Sequence, residues 1–300
     1  MSVPREDGSA RLRRNQIDSS ELLSQLQSDE AGFMKIAKRI KGISGLHLPL
    51  SPKNLSLVAS RLHSIIRRYN MSRYEDYDDF LESASPDLVQ EFVSALTTNT
   101  TQFFREEAHF QFLGTVLTRI LDLKRREGSR ELRVWCAASS TGQEPYSLAM
   151  TIRQVLAAYP SIQLKFLASD IDTEVLETAS SGIYTADDLK SLQGLQRQRW
   201  MEQREDGEYE MRKEIKDSIR FAQFNLKSSP WPFQFKFDII FCRNVLIYFD
   251  REDCAAIIDR MSQVLAPGGH LFLGHSESGM LRHPSLAAVG NAVGKKLGGK

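Results

Sequence analysis

The stretch Arg133-Val-Trp-Cys-Ala-Ala-Ser-Ser-Thr-Gly-Gln-Glu-Pro-Tyr-Ser-Leu-Ala-Met150 decides the fold. Leu132 to Ala137 read as a buried strand, Ala138 to Gly142 as a tight turn of small residues, and the chain from about Glu144-Pro145 as a helix. Proline suits the first helical position, because its missing N–H would have no partner there. A small-residue turn between a strand and a helix N-terminus lets backbone N–H groups approach a ligand closely, as in nucleotide-binding α/β proteins. The dinucleotide fingerprint has three glycines and this turn has only Gly142, so a diphosphate fits it poorly. The next apolar stretch, Leu164-Lys-Phe-Leu-Ala-Ser-Asp170, ends on a carboxylate where a parallel α/β sheet places the group that holds a ribose.

Toward the C-terminus the alternation continues. Asp172 reads as the N-cap of a helix over Thr173 to Ser180, which Gly182-Ile-Tyr ends. Residues from about 185 to 222 break the pattern, and Asp206-Gly207 between short alternating runs predicts a hairpin, hence a small antiparallel insertion. Ile219 to Leu226 is the third sheet strand, carrying Asn225 at its end. Phe237 to Asn244 is the fourth, apolar enough to be buried on both faces. A helix from Asp250 to Leu265, a sharp turn at Ala266-Pro-Gly-Gly269 and a fifth strand from His270 to Gly274 follow. This order predicts a doubly wound, Rossmann-like parallel sheet over residues 131–300, with its ligand at the carboxyl ends of the strands.

Toward the N-terminus the character changes. Residues 1–25 are polar and aperiodic and read as a disordered tail. Helical spacing of Phe33, Met34, Ile36, Ala37 and Ile40 is stopped by Gly42 and Gly45. Ser51-Pro52 caps a helix with a full apolar stripe from Leu55 to Tyr69, from whose other side Lys53, Arg61 and Arg68 project. No acid interrupts residues 52–74, so this face is either a solvated surface or a dock for an acidic helical partner. Ser85-Pro86 opens another amphipathic helix. Residues 26–97 therefore form an all-helical domain, and residues 98–130 a linker and connecting helix. Within the linker, Asn99 and Thr101 offer amide and hydroxyl groups and Arg105 a fixed cation.

The 300-residue chain carries 39 basic and 38 acidic side chains, a balance that argues against nucleic acid or an acidic membrane surface as partner. Three scattered cysteines without a CxxC pair read as reduced and packed, in a cytoplasmic protein. There is no apolar run of membrane-spanning length and the N-terminus is charged, so no membrane insertion is expected. His109, His270 and His275 lack ligand spacing, and no metal is expected.

Four strand ends thus present polar groups toward one edge: the Thr141–Glu144 turn, Asp170, Asn225 and Asn244. With these in view the chain resembles the S-adenosylmethionine-dependent methyltransferases, and among them the chemotaxis receptor methyltransferase (CheR) family. The matching stretches are Thr-Asn-Thr-Thr-Gln-Phe-Phe-Arg-Glu (98–106), Ala-Ala-Ser-Ser-Thr-Gly-Gln-Glu-Pro-Tyr-Ser (137–147), Ala-Ser-Asp-Ile-Asp (168–172), Phe-Cys-Arg-Asn-Val-Leu-Ile-Tyr-Phe (241–249) and Leu-Ala-Pro-Gly-Gly-His-Leu-Phe-Leu-Gly-His-Ser-Glu (265–277). The resemblance implies esterification of glutamate side chains on the cytoplasmic methylation helices of bacterial chemoreceptors, by a monomer using S-adenosylmethionine and releasing S-adenosylhomocysteine.

Carried over residue by residue, it implies that Asn99, Thr101 and Arg105 reach the cofactor from the linker. It implies Glu144 and Asp170 at the methionine and ribose parts, Asn225 with Leu226 at the adenine, and Asn244 with Val245 beside the methyl group. Arg105 and Tyr248 would handle the substrate carboxylate, and Arg61 and Arg68 would meet the receptor's acidic helices. Duller explanations exist: Thr141 and Glu144 have capping-box spacing, and Asp170 or Asn244 could simply close turns. Two departures stand out. The family's sheet continues past Gly-His-Ser-Glu with a helix and two strands, which residues 278–300 do not offer, and this raises a second reading, a cofactor- and receptor-binding module with weakened turnover. The compact Gln203–Glu210 turn offers no clear peptide pocket, so docking without a receptor C-terminal tether is expected. A third reading keeps methyl transfer but gives it another acceptor, such as a different signalling protein.

Overall fold

The computed structural model describes residues 18–192 and 194–298, which fall into two compact units. The smaller comprises residues up to Ile43 together with Leu48–Leu96, and the larger comprises Ser44–His47 and the chain from Thr97 onward.

The smaller unit is all-helical: α1 (Ser19–Ser28), most of α2 (Glu30–Ser44), α3 (Pro52–Arg68), α4 (Tyr74–Glu82) and α5 (Pro86–Leu96). Of the tail expected over residues 1–25, residues 1–17 lie outside the described residues. Residues 19–25 are helical instead, because Leu22 and Leu26, one turn apart, bury completely against the unit. Ser51 caps α3 as expected, its hydroxyl accepting from the Asn54 N–H at 3.2 Å, and Leu55, Val58, Leu62 and Ile66 are buried. The basic side of α3 differs from the expectation. Arg61 is half-buried and donates to the Leu96 carbonyl at 2.8 Å, and Arg68 pairs with Glu91. Lys53 and Arg67 are the basic side chains of α3 most open to solvent alongside Arg68.

The larger unit is the α/β part. After α6 (Ala108–Arg126), β1 (Glu131–Ala137) leads through the turn into α7 (Gln143–Leu156), then β2 (Gln163–Asp170) and α8 (Thr173–Ser181). The insertion holds β3 (Ile183–Tyr184), α9 (Gly194–Trp200), β4 (Met201–Gln203), β5 (Tyr209–Met211) and α10 (Lys213–Lys216). β3, β5 and β4 form a three-stranded antiparallel sheet around the expected hairpin, with Gly207 at φ 87° in its turn. β6 (Ile219–Gln223), β7 (Phe237–Cys242), α11 (Arg251–Val264) and β8 (Leu265–Leu273) then complete the parallel part.

Two further strands follow, β9 (Leu286–Gly290) and β10 (Val293–Lys296), so the sheet has seven strands in the order β6-β2-β1-β7-β8-β10-β9, with β10 antiparallel to both neighbours. This corrects the expected truncation and removes the ground for a weakened module. Leu-Ala-Ala-Val-Gly and Val-Gly-Lys-Lys carry little strand signal because they are short and glycine-broken, and only pairing, of β10 to β8 and of β9 to β10, makes them strands. The turn expected at Ala266–Gly269 is likewise part of β8. Its residues bulge where the pairing to β7 jumps from Phe237↔Leu265 to Ile239↔His270.

Strand alternation sorts the core into two layers. Val134 and Cys136 of β1, with Ile239 and Phe241 of β7, join the layer packed with Leu113 and Leu117 of α6 and Leu148 and Ile152 of α7. Trp135 and Ala137, with Ile240 and Cys242, join Ile257 and Met261 of α11 in the other. Both faces of the central strands are covered, which leaves the strand ends as the place for chemistry.

Candidate functional site

The cleft begins at the turn after β1. Ala138, Ser140 and Gly142 have φ of 61°, 48° and 99°, a left-handed backbone that swings the chain sharply from strand into α7. Gly142 must lack a side chain: a Cβ there would meet the Tyr184 hydroxyl at 2.6 Å and the Ala179 backbone at 3.0 Å. The helix begins at Gln143, so Pro145 is third in it rather than first, still within the turn whose N–H groups have no helical partner. The capping box is not made. Thr141 donates to Gln143 Oε1 at 2.7 Å, and Glu144 turns inward, accepting from Arg243 Nη1 at 2.7 Å and the Cys136 thiol at 3.4 Å. Burial pushes the Glu144 carboxyl above its usual range, against the pull of Arg243.

Asp170, at the end of β2, accepts from the Ser140 N–H at 2.8 Å and the Asp172 N–H at 3.1 Å, and burial raises its carboxyl despite those donors. Asp172 caps α8 as expected, through Glu174 N–H at 3.0 Å. The linker closes against this edge. Asn99 donates its amide to Asp172 at 2.9 Å, and its carbonyl accepts from Ser140 Oγ at 2.9 Å. Thus Asn99 braces the wall that it was expected to reach past. Arg105 donates to the Thr100 carbonyl at 3.1 Å, and its neighbours Phe104 and Glu106 have φ of 53° and 59°.

Opposite stand the ends of β7 and β8. Asn244 has φ 57°, and a short 3-10 turn (Leu246–Tyr248) follows it. Arg243, its side chain fully buried, bridges three pieces: Glu144, the Arg105 carbonyl at 2.7 Å and the Glu106 carboxylate at 3.1 Å. Glu106 is partly buried, which would raise its carboxyl, yet Arg243 and Asn244 hold it below the usual range.

A cleft of ≈ 800 Å³, open to solvent, is lined by Thr101, Arg105, Glu144, Asp170, Asn244 and Tyr248 among others. A smaller cavity of ≈ 300 Å³ shares Asp170 and Val245 with it and extends to Phe224, Asn225 and Leu226. Every cofactor-site residue expected from the sequence lines one or both cavities. Missed were Arg243, although an arginine directly after the apolar run Ile239–Cys242 is a signal, and Ser44 and Leu46, which line the cleft from a segment read only as a helix stop. His47 N–H donates to the Tyr248 carbonyl at 2.7 Å, tying that segment to the site.

The donor set suits a nucleoside attached to a short charged chain: a buried carboxylate for vicinal hydroxyls, an aromatic and aliphatic slot for a base, and an acid–arginine pair beyond. Glu106, His109 and His275 bring three ligand-type atoms within 4.8 Å of one another. The Glu106 oxygen concerned already lies beside the Arg243 cation, and His109 Nε2 donates to the Asn291 carbonyl at 2.7 Å, so the cluster reads as structural.

Comparison with known proteins agrees with this architecture. Residues 99–289 match the CheR methyltransferase SAM-binding domain, and residues 31–97 the CheR methyltransferase all-alpha domain. The chain is 40% identical to the chemotaxis protein methyltransferase of Escherichia coli, over 86% of this chain and 88% of the relative. It is 39% identical to a probable chemotaxis protein methyltransferase of Rhizobium etli, over 78% of this chain and 89% of that one. A chemotaxis protein methyltransferase of Salmonella typhimurium is 39% identical over 89% of this chain and 91% of its own length.

Proposed function

The chain belongs to the CheR family of chemotaxis methyltransferases, and from that premise we propose that it methylates glutamate side chains on the cytoplasmic helices of chemoreceptors. S-adenosylmethionine, when bound, supplies a methyl carbon made electrophilic by its sulfonium. A glutamate carboxylate is already a nucleophile, so no general base is required of the protein. Its work is to align oxygen with carbon, exclude water and steady the incoming anion.

In this reading Asp170 holds the ribose hydroxyls, Asn225 and Leu226 flank the adenine, and Asn244 and Val245 border the methyl group. Glu144, with Arg243, takes the methionine end; Thr101 closes it from the linker, and Asn99 keeps the linker against Asp172. Arg105 grips the acceptor carboxylate through N–H groups that its bond to Thr100 does not use. That grip must be moderate, because the negative charge disappears as the ester forms and a tight ground-state clamp would oppose turnover. Tyr248 adds one neutral hydrogen bond. Lys53, Arg67 and Arg68 on α3 meet the receptor's acidic helices, with Arg61 bracing α3 from behind.

The observation that supports the reading most is the meeting of Arg105, Asn244 and Tyr248, from distant segments, in the cleft that Glu144 and Asp170 also line. The test is transfer of labelled methyl to a receptor cytoplasmic fragment. Label released by mild base, as esters release it, is the expected result. A folded, cofactor-binding protein that leaves no base-labile label on any receptor fragment overturns the proposal.

A further inference from the structure

The Gly274-His-Ser-Glu277 segment follows β8 and contributes no residue to the cleft lining described above, yet it ends in a carboxylate with no solvent exposure. Four backbone N–H groups converge on Glu277. Oε2 accepts from Asn244 at 2.9 Å and Gly274 at 2.6 Å, and Oε1 from Leu246 at 2.8 Å and Ile247 at 3.3 Å. Three of these donors belong to the turn that carries Asn244 and Tyr248. Asn244 sits there at φ 57°, in the left-handed region that asparagine enters more readily than other residues with a side chain.

Gly274 fits the same arrangement. Its φ of −67° suits any residue, but a Cβ would meet Glu277 Oε2 at 2.8 Å and Asn244 Nδ2 at 2.7 Å. The glycine therefore makes room for the carboxylate rather than for a backbone bend.

We infer that Glu277 is a positioning residue for methyl transfer: as a buried carboxylate accepting on both oxygens it holds the Asn244–Tyr248 turn in the shape that presents Asn244 to the methyl group and Tyr248 to the acceptor. The inference rests on the proposed roles of those two residues. Two donors on each oxygen need acceptor capacity on both, which a carboxylate has and an amide lacks, since a glutamine would set its NH2 against one pair of N–H groups.

The test is the Glu277→Gln variant, with Gly274→Ala as a second perturbation that crowds the anion while leaving its charge, and Leu286→Ala in β9 as a control for lost stability. Both site variants are expected to lower kcat for receptor methylation by about 100-fold, the scale of a misplacement near 1 Å. Affinity for S-adenosylhomocysteine should stay within about threefold, because Asp170, Asn225 and Leu226 lie outside the perturbed turn. Hydrogen exchange of the peptide spanning residues 241–249 should accelerate in both variants and not in Leu286→Ala. That readout needs no substrate, so it separates failure of this inference from failure of the proposed acceptor. Wild-type kcat in both site variants, unchanged exchange at 241–249, or equal losses of kcat and product affinity would overturn the positioning role.

Discussion

The two rims of the cleft are held by different means. On the β1–β2 side the main chain does most of the work: three left-handed residues shape the turn, and the Ser139 and Ser140 N–H groups bond to Ser169 and Asp170. On the β7–β8 side charged side chains do it, with Arg243 joining Glu144, Glu106 and the Arg105 carbonyl and Glu277 gathering four N–H groups. A rim built from main chain is preformed and tolerant of nearby charge changes. A rim built from buried ions is exact in shape but fails badly when one partner is removed. The first suits holding a nucleoside, and the second suits presenting groups to an acceptor whose charge vanishes in the proposed esterification.

Removing the central cation should show the largest effect. Arg243→Met leaves Glu144 and Glu106 without their buried partner, and should lower unfolding free energy by roughly 3–5 kcal/mol in a denaturant titration. Adding Glu144→Gln should return part of that loss, a non-additivity that a double-mutant cycle reads directly. Simple addition of the two losses would mean that the β7–β8 rim is not organised around this pair.

The next effect is a pH dependence on the same side of the sheet. Burial, together with Lys295, its cross-strand partner on β10, and Arg119, lowers His270 from 6.5 to about 4. Folding thus favours the neutral ring. The stability it contributes is fully present above pH 6.5 and is lost as pH falls through about 4, amounting to about 3 kcal/mol. His270→Gln should flatten stability between those two pH values, and an unchanged slope would place the acid sensitivity elsewhere.

On the main-chain rim, Asp170→Asn keeps one acceptor oxygen and loses the charge. It should weaken binding of S-adenosylhomocysteine by roughly 1.5–3 kcal/mol, measured by calorimetry. The smallest effect is expected from Tyr248→Phe, about 1 kcal/mol in kcat with product affinity unchanged. A fall in product affinity with Tyr248→Phe, or in kcat alone with Asp170→Asn, would reverse the assignment of the rims.

Much of this was legible in the sequence because it is local. The strand–turn–helix at 132–150, the Asp172 cap and the Asp206-Gly207 hairpin each follow from near neighbours, and Asp170 follows from its strand. What stayed hidden depends on partners far along the chain. Nothing near Glu144 says that its carboxylate meets Arg243, 99 residues away, rather than capping its own helix. Arg61 looks like a surface cation until the Leu96 carbonyl is placed beside it. Leu22 and Leu26 lie in a polar stretch and make a helix only by burial, and β9 and β10 are strands only because β8 offers an edge.

The most direct measurement is a crystal structure with S-adenosylhomocysteine bound. Its ribose is expected on Asp170, its adenine beside Asn225 and Leu226, and its sulfur directed toward Asn244 and Tyr248. Density for the molecule in the separate cavity lined by Arg251, Cys254 and Met280, with the strand-end cleft filled only by solvent, would contradict it.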